Sequence, residues 1–267
     1  MASLPSYDTS AAQQRSAPGW RELPRLLVSR RWRWTTLGVI VLALLCVRLG
    51  FWQLDRLDQR RAHNALLAAR MSAPPIELVG QPIDVAANEY RRVVVRGTFD
   101  VQHEVIVRPS SLYEQPGADL FTPLRIAGSD QAVLVNRGWV PLAQSEPQAR
   151  RQFAVSGPVQ IEGLLRAPKH RSSWGPPDHV PPGGRLDAWY RPDVERIAAQ
   201  TPYPLLPFYI EQLPGNTQQL PQPHPAIDIT DEGPHLSYAI QWFSFAVIGV
   251  IGYLALVRSR TREQHRP

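Results

Sequence analysis

The segment that decides the fold begins with Gly233-Pro234-His235-Leu236-Ser237-Tyr238-Ala239-Ile240-Gln241-Trp242-Phe243. From Leu236 to Val257 the chain has 22 residues without a charged side chain. At about 1.5 Å per residue this run makes roughly 33 Å of α-helix, enough to cross the hydrocarbon core of a bilayer. An imidazole that can bind a metal stands directly before it. The pattern predicts a transmembrane helix over residues 235–257 with room for a haem or metal site at its first turn.

A second apolar segment lies near the N-terminus. Trp34 to Val47 gives 14 uncharged residues, which is short for a span, but continuation through Arg48 to Leu54 gives 21. Arg48 is near the end of this run, where a long side chain can reach the interface. We therefore predict a transmembrane helix over residues 34–54. A signal peptide is the alternative, although no small-x-small cleavage site follows the apolar core.

The distribution of charge predicts the orientation. Residues 1–34 carry six arginines and two acids, and residues 258–267 carry four arginines and one acid. Residues 59–235 are nearly neutral, with 17 basic and 18 acidic side chains. By the positive-inside rule both tails, 1–33 and 258–267, are cytoplasmic and the central part is extracytoplasmic. The basic character thus indicates contact with membrane lipid, and no nucleic-acid partner is expected.

Composition narrows the chemistry. Cys46 is the only cysteine, so no disulfide can form within the chain. With two methionines and no Cys-x-x-Cys motif, a copper carrier with sulfur ligands is not expected. The sequence also lacks Gly-x-Ser-x-Gly, His-Glu-x-x-His and Walker motifs. We therefore expect a protein that is not an enzyme.

The central part is predicted to be one β-rich domain. Residues 55–72 have the composition of a helical stalk, ended by Ala73-Pro74-Pro75, and the domain follows over residues 73–232. Arg92–Phe99 and Glu104–Arg108 alternate partially and predict a hairpin. Further predicted strands are 121–126, 133–140, 159–165 and 208–211, and a helix is predicted at 192–200. Many short strands with little helix favour an antiparallel sheet or barrel of the α+β class, carried by a membrane protein with two transmembrane helices.

Two stretches rich in Pro, Gly and Gln, 169–184 and 213–225, are predicted to be surface loops or linkers. They contain His170, His179 and His224, which are too far apart in sequence to form a recognisable ligand set. We expect exposed loop histidines rather than metal ligands.

Four segments occur in an order that matches one family. They are Leu49-Gly50-Phe51-Trp52-Gln53-Leu54-Asp55-Arg56-Leu57, Tyr90-Arg91-Arg92-Val93-Val94-Val95-Arg96-Gly97-Thr98-Phe99-Asp100, Val135-Asn136-Arg137-Gly138-Trp139-Val140-Pro141 and His235-Leu236-Ser237-Tyr238. With them the chain resembles the Surfeit locus protein one family of cytochrome c oxidase assembly factors, from about residue 37 to 257. One departure is Gly233-Pro234 before His235, where many relatives carry polar residues.

The resemblance implies a function and a location. It implies two spans around an extracytoplasmic or intermembrane-space domain, in a factor that binds haem a transiently and helps to insert it into the catalytic subunit of cytochrome c oxidase. The family occurs in bacteria and mitochondria, and for this chain we expect a bacterial cell membrane. The machinery of haem a synthesis is a further possible partner. The role of Arg137-Gly138-Trp139 is left open between a strand that ends in a glycine turn and a contact with haem or the oxidase.

The residues near the two spans are compatible with a haem site. His235, Tyr238 and Trp242 fall at i, i+3 and i+7, on one helix face. A haem needs an axial nitrogen, flat aromatic walls and a cation for its propionates. His235 is the candidate ligand of the haem iron and the aromatic residues are the candidate walls. The full set of candidate residues is His235, Tyr238, Trp242, Trp52, Arg48 and Arg56.

Each of these residues also has a structural interpretation. Trp52, Tyr238 and Trp242 can be interfacial anchors or packing residues, and Arg48 can reach the interface without binding a ligand. Two other functions stay open. One is a structural chaperone that holds assembly intermediates without haem, and the other is a membrane-anchored sensor or hydrolase.

Overall fold

The computed structural model describes residues 23–169, 177–181, 184–215 and 219–263. The chain divides into two compact units, residues 1–62 with 232–267, and residues 63–231. The helices in the described part are α1 (Leu23–Leu27), α2 (Arg33–Ser72), α3 (Val85–Asn88), α4 (Pro147–Arg150), α5 (Val194–Ala198) and α6 (His235–Glu263). The strands are β1 (Ile76–Leu78), β2 (Arg92–Phe99), β3 (Val105–Leu112), β4 (Gln115–Ile126), β5 (Ala132–Pro141), β6 (Pro158–Arg166), β7 (Ala188–Trp189) and β8 (Leu205–Gln212). Short 3₁₀ turns occupy Val101–His103, Leu142–Gln144 and Arg151–Phe153.

Two long apolar helices dominate the first unit. Both α2 and α6 are long and apolar enough to cross a membrane, by length and composition. The 40 residues of α2 include the predicted first span and the predicted stalk in one helix. Apolar side chains such as Leu44 and Ile248 are exposed by 63% and 66%, so these helices are not the buried core helices of a soluble domain. That the helices cross a membrane stays a prediction.

Small residues lie where α2 and α6 pack. A Cβ added at Gly50 would lie 2.6 Å from the ring of Phe243. Phe51 also meets Phe243 edge to face, with 5.4 Å between ring centroids. Further along, the Thr36 and Tyr253 hydroxyls are hydrogen-bonded at 2.5 Å. Close helix packing at a glycine, with a polar bond beside it, is typical of helix pairs in lipid.

The second unit contains a closed β-barrel. The strands pair in the order β2-β6-β8-β5-β4, and β4 returns to pair with β2. The long β4 makes this closure possible because its C-terminal part pairs with β2 and its N-terminal part with β3. β1 and β7 add short parallel partners to β2 and β3. The predicted β-rich domain with a sheet or barrel is therefore confirmed.

Alternation along the strands builds the barrel core. In β2 the side chains of Val93, Val95 and Phe99 are buried, while Arg96 and Thr98 between them are exposed. The larger apolar cluster inside the barrel is formed by Leu78, Val93, Val95, Phe99, Leu124, Ile126, Val133, Val135, Ile161, Leu165, Leu206, Phe208 and Ile210. This period of two is the sequence signal that predicted the strands.

Two details of the predicted sheet are wrong. β2 does not form a hairpin with β3, because β3 pairs with β4 and β7 while β2 pairs with β1, β4 and β6. The sheet is also not purely antiparallel, since β5 and β8 are parallel. Strand order depends on contacts between distant parts of the chain, which local alternation does not encode.

Candidate functional site

His235 begins α6 and lies beside α2. Its Nδ1 is 2.9 Å from Oε1 of Gln53, and the imidazole is half-buried. Because an amide oxygen only accepts, Nδ1 carries the proton and donates this hydrogen bond. In the neutral imidazole Nε2 then keeps its lone pair, and no hydrogen bond to Nε2 is found among the described residues. The contact thus selects the tautomer that can bind a metal through Nε2.

The three aromatic candidates lie on two helices, Trp52 on α2 and Tyr238 and Trp242 on α6, and no ring contact between them is found in the described part of the chain. Trp52 and Tyr238 are exposed by 42% and 47%, and Trp242 is half-buried against Phe245, at 6.0 Å between ring centroids. Exposed aromatic faces of this kind can take a flat ligand or anchor a helix at an interface. Their roles as haem walls stay predictions.

The two candidate arginines differ in their surroundings. The Arg56 guanidinium lies 5.6 Å from the centroid of the Trp52 ring, one helical turn earlier, and donates to Gln59 at 2.9 Å. Arg48 is exposed. Of the two, Arg56 combines an aromatic face with a cation, which is the pair that a haem with propionates requires.

Sequence reasoning missed two residues near His235. The sequence pattern predicts no function for Gln53, although its side chain orients the His235 imidazole. Glu232 accepts both guanidinium hydrogen bonds of Arg61 at 2.8 Å, and so ties the segment before α6 to α2. Spacing within one helix could not reveal these partners, because both pairs join residues more than 170 positions apart.

The residues present fit a haem better than a bare metal ion. Among the described residues, no three His, Cys, Asp or Glu side chains come together as a metal site. A bare ion needs several protein ligands, whereas haem brings four nitrogens of its own and needs one axial ligand. One oriented imidazole with exposed aromatic side chains on the same unit meets that smaller requirement.

Comparison with known proteins identifies the family. The SURF1 family matches residues 40–247. The chain belongs to the SURF1 family. A SURF1-like protein of Monosiga brevicollis is 33% identical over 84% of this chain and 87% of its own length. Surfeit locus protein 1 of Homo sapiens is 27% identical over 74% of this chain and 69% of its own length. Surfeit locus protein 1 of Gallus gallus is 28% identical over 63% of this chain and 58% of its own length.

The SURF1 match includes the Arg137-Gly138-Trp139 segment, which has an internal role in the structure. Arg137 is only 6% exposed and donates to Glu104 at 3.3 Å and to the Phe153 carbonyl at 2.6 Å. Burial lowers the pKa of Arg137, and Glu104 partly offsets this, so the guanidinium remains charged. A buried ion pair of this kind orients β5 and is not free to contact a partner.

Gly138 allows a distant segment to pack against β5. Its φ is +120°, and an added Cβ would lie 2.3 Å from the backbone of Gln222. Trp139 and Gln222 exchange backbone hydrogen bonds of 2.7 and 2.8 Å. The expected strand that ends in a glycine turn is wrong, because β5 continues to Pro141 with an irregular register opposite Leu120 and Phe121, and Gly138 instead allows the Gln222 segment of this SURF1 domain to dock.

The loop histidines differ from one another. His179 is exposed, as expected. His224 is instead half-buried, with Nε2 at 2.8 Å from Oδ1 of Asp119, which also accepts from Ser110 at 2.7 Å. His170 lies outside the described residues.

Proposed function

We propose that this protein is an assembly factor for cytochrome c oxidase that binds haem a transiently and assists its insertion into the catalytic subunit. Membership of the SURF1 family supports the assembly role, through the function that the resemblance implies. The observation that carries haem binding is the Gln53–His235 hydrogen bond, because it leaves a ligand-competent Nε2 at the start of an apolar helix.

In this proposal each candidate residue contacts a different part of the haem. His235 would ligate the iron, Trp52 and Trp242 would contact the macrocycle, and Arg56 or Arg48 would pair with a propionate. A bound haem would supply an iron that accepts the imidazole nitrogen of His235. A carrier must also release its cargo, and a single strong protein ligand permits release more readily than two.

The same proposal includes a location. Both apolar helices would cross a bacterial cell membrane, with the arginine-rich ends in the cytoplasm and the barrel outside. The catalytic subunit of the oxidase would be the receiving partner, and the machinery that makes haem a the supplying one.

Replacement of His235 in cells tests the function. In a strain without its own copy, we expect the wild-type chain to restore oxidase activity and the haem a content of the purified oxidase. His235→Ala should restore only part of both, while His179→Ala, which changes an exposed histidine elsewhere, should match the wild type. Equal activity from all three chains at equal protein levels would favour a structural chaperone that does not bind haem.

A further inference from the structure

A cavity in the second unit has the character of an anion site. Its volume is about 310 Å³, which is in the range of small-molecule pockets. It lies between the 3₁₀ turn Val101–His103, the segment Pro147–Ala154 and the residues that lead into β7. Three arginines line it, namely Arg150, Arg151 and Arg185.

Arg150 is the most informative of the three. Its side chain is only 5% exposed, and Nη2 donates to Asp187 at 2.6 Å. Its Nε is 4.0 Å from a carboxylate oxygen of Glu104. Its Nη1 is buried without a hydrogen-bond partner among the described residues. A buried charged donor without a partner is costly, and Arg150 lines the cavity, so an acceptor bound there is a favourable partner for its guanidinium.

Arg185 is fixed in place at the same cavity. Its guanidinium donates to the backbone carbonyls of Gln102 and Glu104. Burial lowers the pKa of Arg185, but an arginine keeps its charge at neutral pH. Because backbone carbonyls hold the group without neutralising it, its positive charge remains available to a ligand.

The acidic residues at the cavity do not cancel this charge. Glu104 is shared with Arg137 at 3.3 Å and with the Thr122 hydroxyl at 2.7 Å, so one of its oxygens is already used within the core. Asp187 is paired with Arg150. With Arg137 and Asp100 included, four arginines face three carboxylates, which leaves the region positive.

We propose that this cavity binds a small organic anion through a carboxylate or phosphate group, which accepts hydrogen bonds from Arg150 and Arg151. Arginine forks suit both groups because each presents oxygens at matching spacing. The cavity is larger than a lone oxyanion, and Val101, Pro147 and Ala154 provide apolar surface for a carbon skeleton. The site uses none of the residues assigned to haem and stands independently of that proposal.

Titration calorimetry on the full-length protein in lipid nanodiscs tests the site. Inorganic phosphate and succinate are the two probes, and sodium chloride of equal ionic strength is the blank. We expect saturable binding of at least one probe with a Kd below about 1 mM. Which of them binds tells a phosphate ligand from a carboxylate ligand.

Three variants identify the residues without removal of the buried Arg150. Arg151→Gln, an exposed lining residue, should raise the Kd about tenfold, as expected for loss of one charge-assisted hydrogen bond. Arg96→Gln, an exposed arginine of β2 outside the cavity, should leave it unchanged. Asp187→Asn should lower the Kd, because it removes the charge that competes with the ligand for Arg150.

Two results would overturn the proposal. One is no saturable binding of either probe by a folded wild-type protein. The other is an equal loss of affinity in Arg151→Gln and Arg96→Gln, which would show attraction to net charge and no defined site.

Discussion

At the scale of single residues, the important side chains are oriented by partners far away in sequence. Gln53 sets the tautomer of His235, Glu104 holds Arg137, and Asp119 holds His224. Each of these hydrogen bonds fixes the orientation of a polar side chain. Substitution of either partner should therefore have specific and measurable effects.

Gly138 provides a test of the packed segment before α6. Gly138→Ala should destabilise the protein by about 1–3 kcal/mol or more, because φ is +120° and the added Cβ meets the Gln222 backbone. Gly128→Ala is the matched control, with a φ of +78° and open space around the new Cβ, and should cost only about 1 kcal/mol. Chemical denaturation monitored by tryptophan fluorescence measures both. If both variants lost the same free energy of unfolding, the contact between Gly138 and the docked segment would contribute nothing to stability.

His224 makes part of the stability pH-dependent. Its hydrogen bond to Asp119 raises the pKa of His224 above the ordinary 6.5, although partial burial opposes this. A raised pKa in the folded state means that the stabilisation is complete below the unfolded pKa and is lost as the pH rises through the folded one. The melting temperature of the wild type should therefore fall relative to that of His224→Gln as the pH rises above 6.5 and through the raised pKa of the folded state. Parallel melting curves for the two proteins across this range would rule out the effect.

At the scale of elements, apolar length and alternation predict the two long helices and six of the eight strands in the described part of the chain. β5, predicted at 133–140, is observed at Ala132–Pro141, and β6, predicted at 159–165, at Pro158–Arg166. β4 was predicted only over its second half, since Pro116 and Gly117 are poor strand formers that pairing with β3 nevertheless accommodates. Strand order and the Gln53–His235 contact were not predictable, because they depend on which distant segments meet.

The packing of α2 on α6 depends on Gly50. Gly50→Val should lower the thermal stability of the detergent-solubilised protein, because the new side chain displaces the Phe243 ring. Adding Phe243→Ala should recover part of the loss. Gly249→Val, also in an apolar helix but with nothing within 4 Å of its Cβ, should have little effect. If Gly249→Val lost as much thermal stability as Gly50→Val, the loss would come from valine in an apolar helix and not from the contact with Phe243.

At the scale of the whole molecule, we expect the barrel outside a membrane and both chain ends inside, because the arginine-rich tails favour the cytoplasmic side. Tyr113 and Glu114, with positive φ, form the exposed turn between β3 and β4 and suit an inserted reporter. A reporter active only outside the cytoplasm should be active there and silent after Pro267. The opposite pattern would reject the orientation that the charge asymmetry predicts.

The central claim is that His235 holds haem in this SURF1-family protein. The most direct measurement is the absorption spectrum of the full-length protein purified from cells that make haem a. We predict a haem band in the wild type and in His179→Ala, a weaker band in Gln53→Ala and in Trp52→Ala, and loss of most of the band in His235→Ala. Unchanged haem content in a folded His235→Ala protein would contradict the claim.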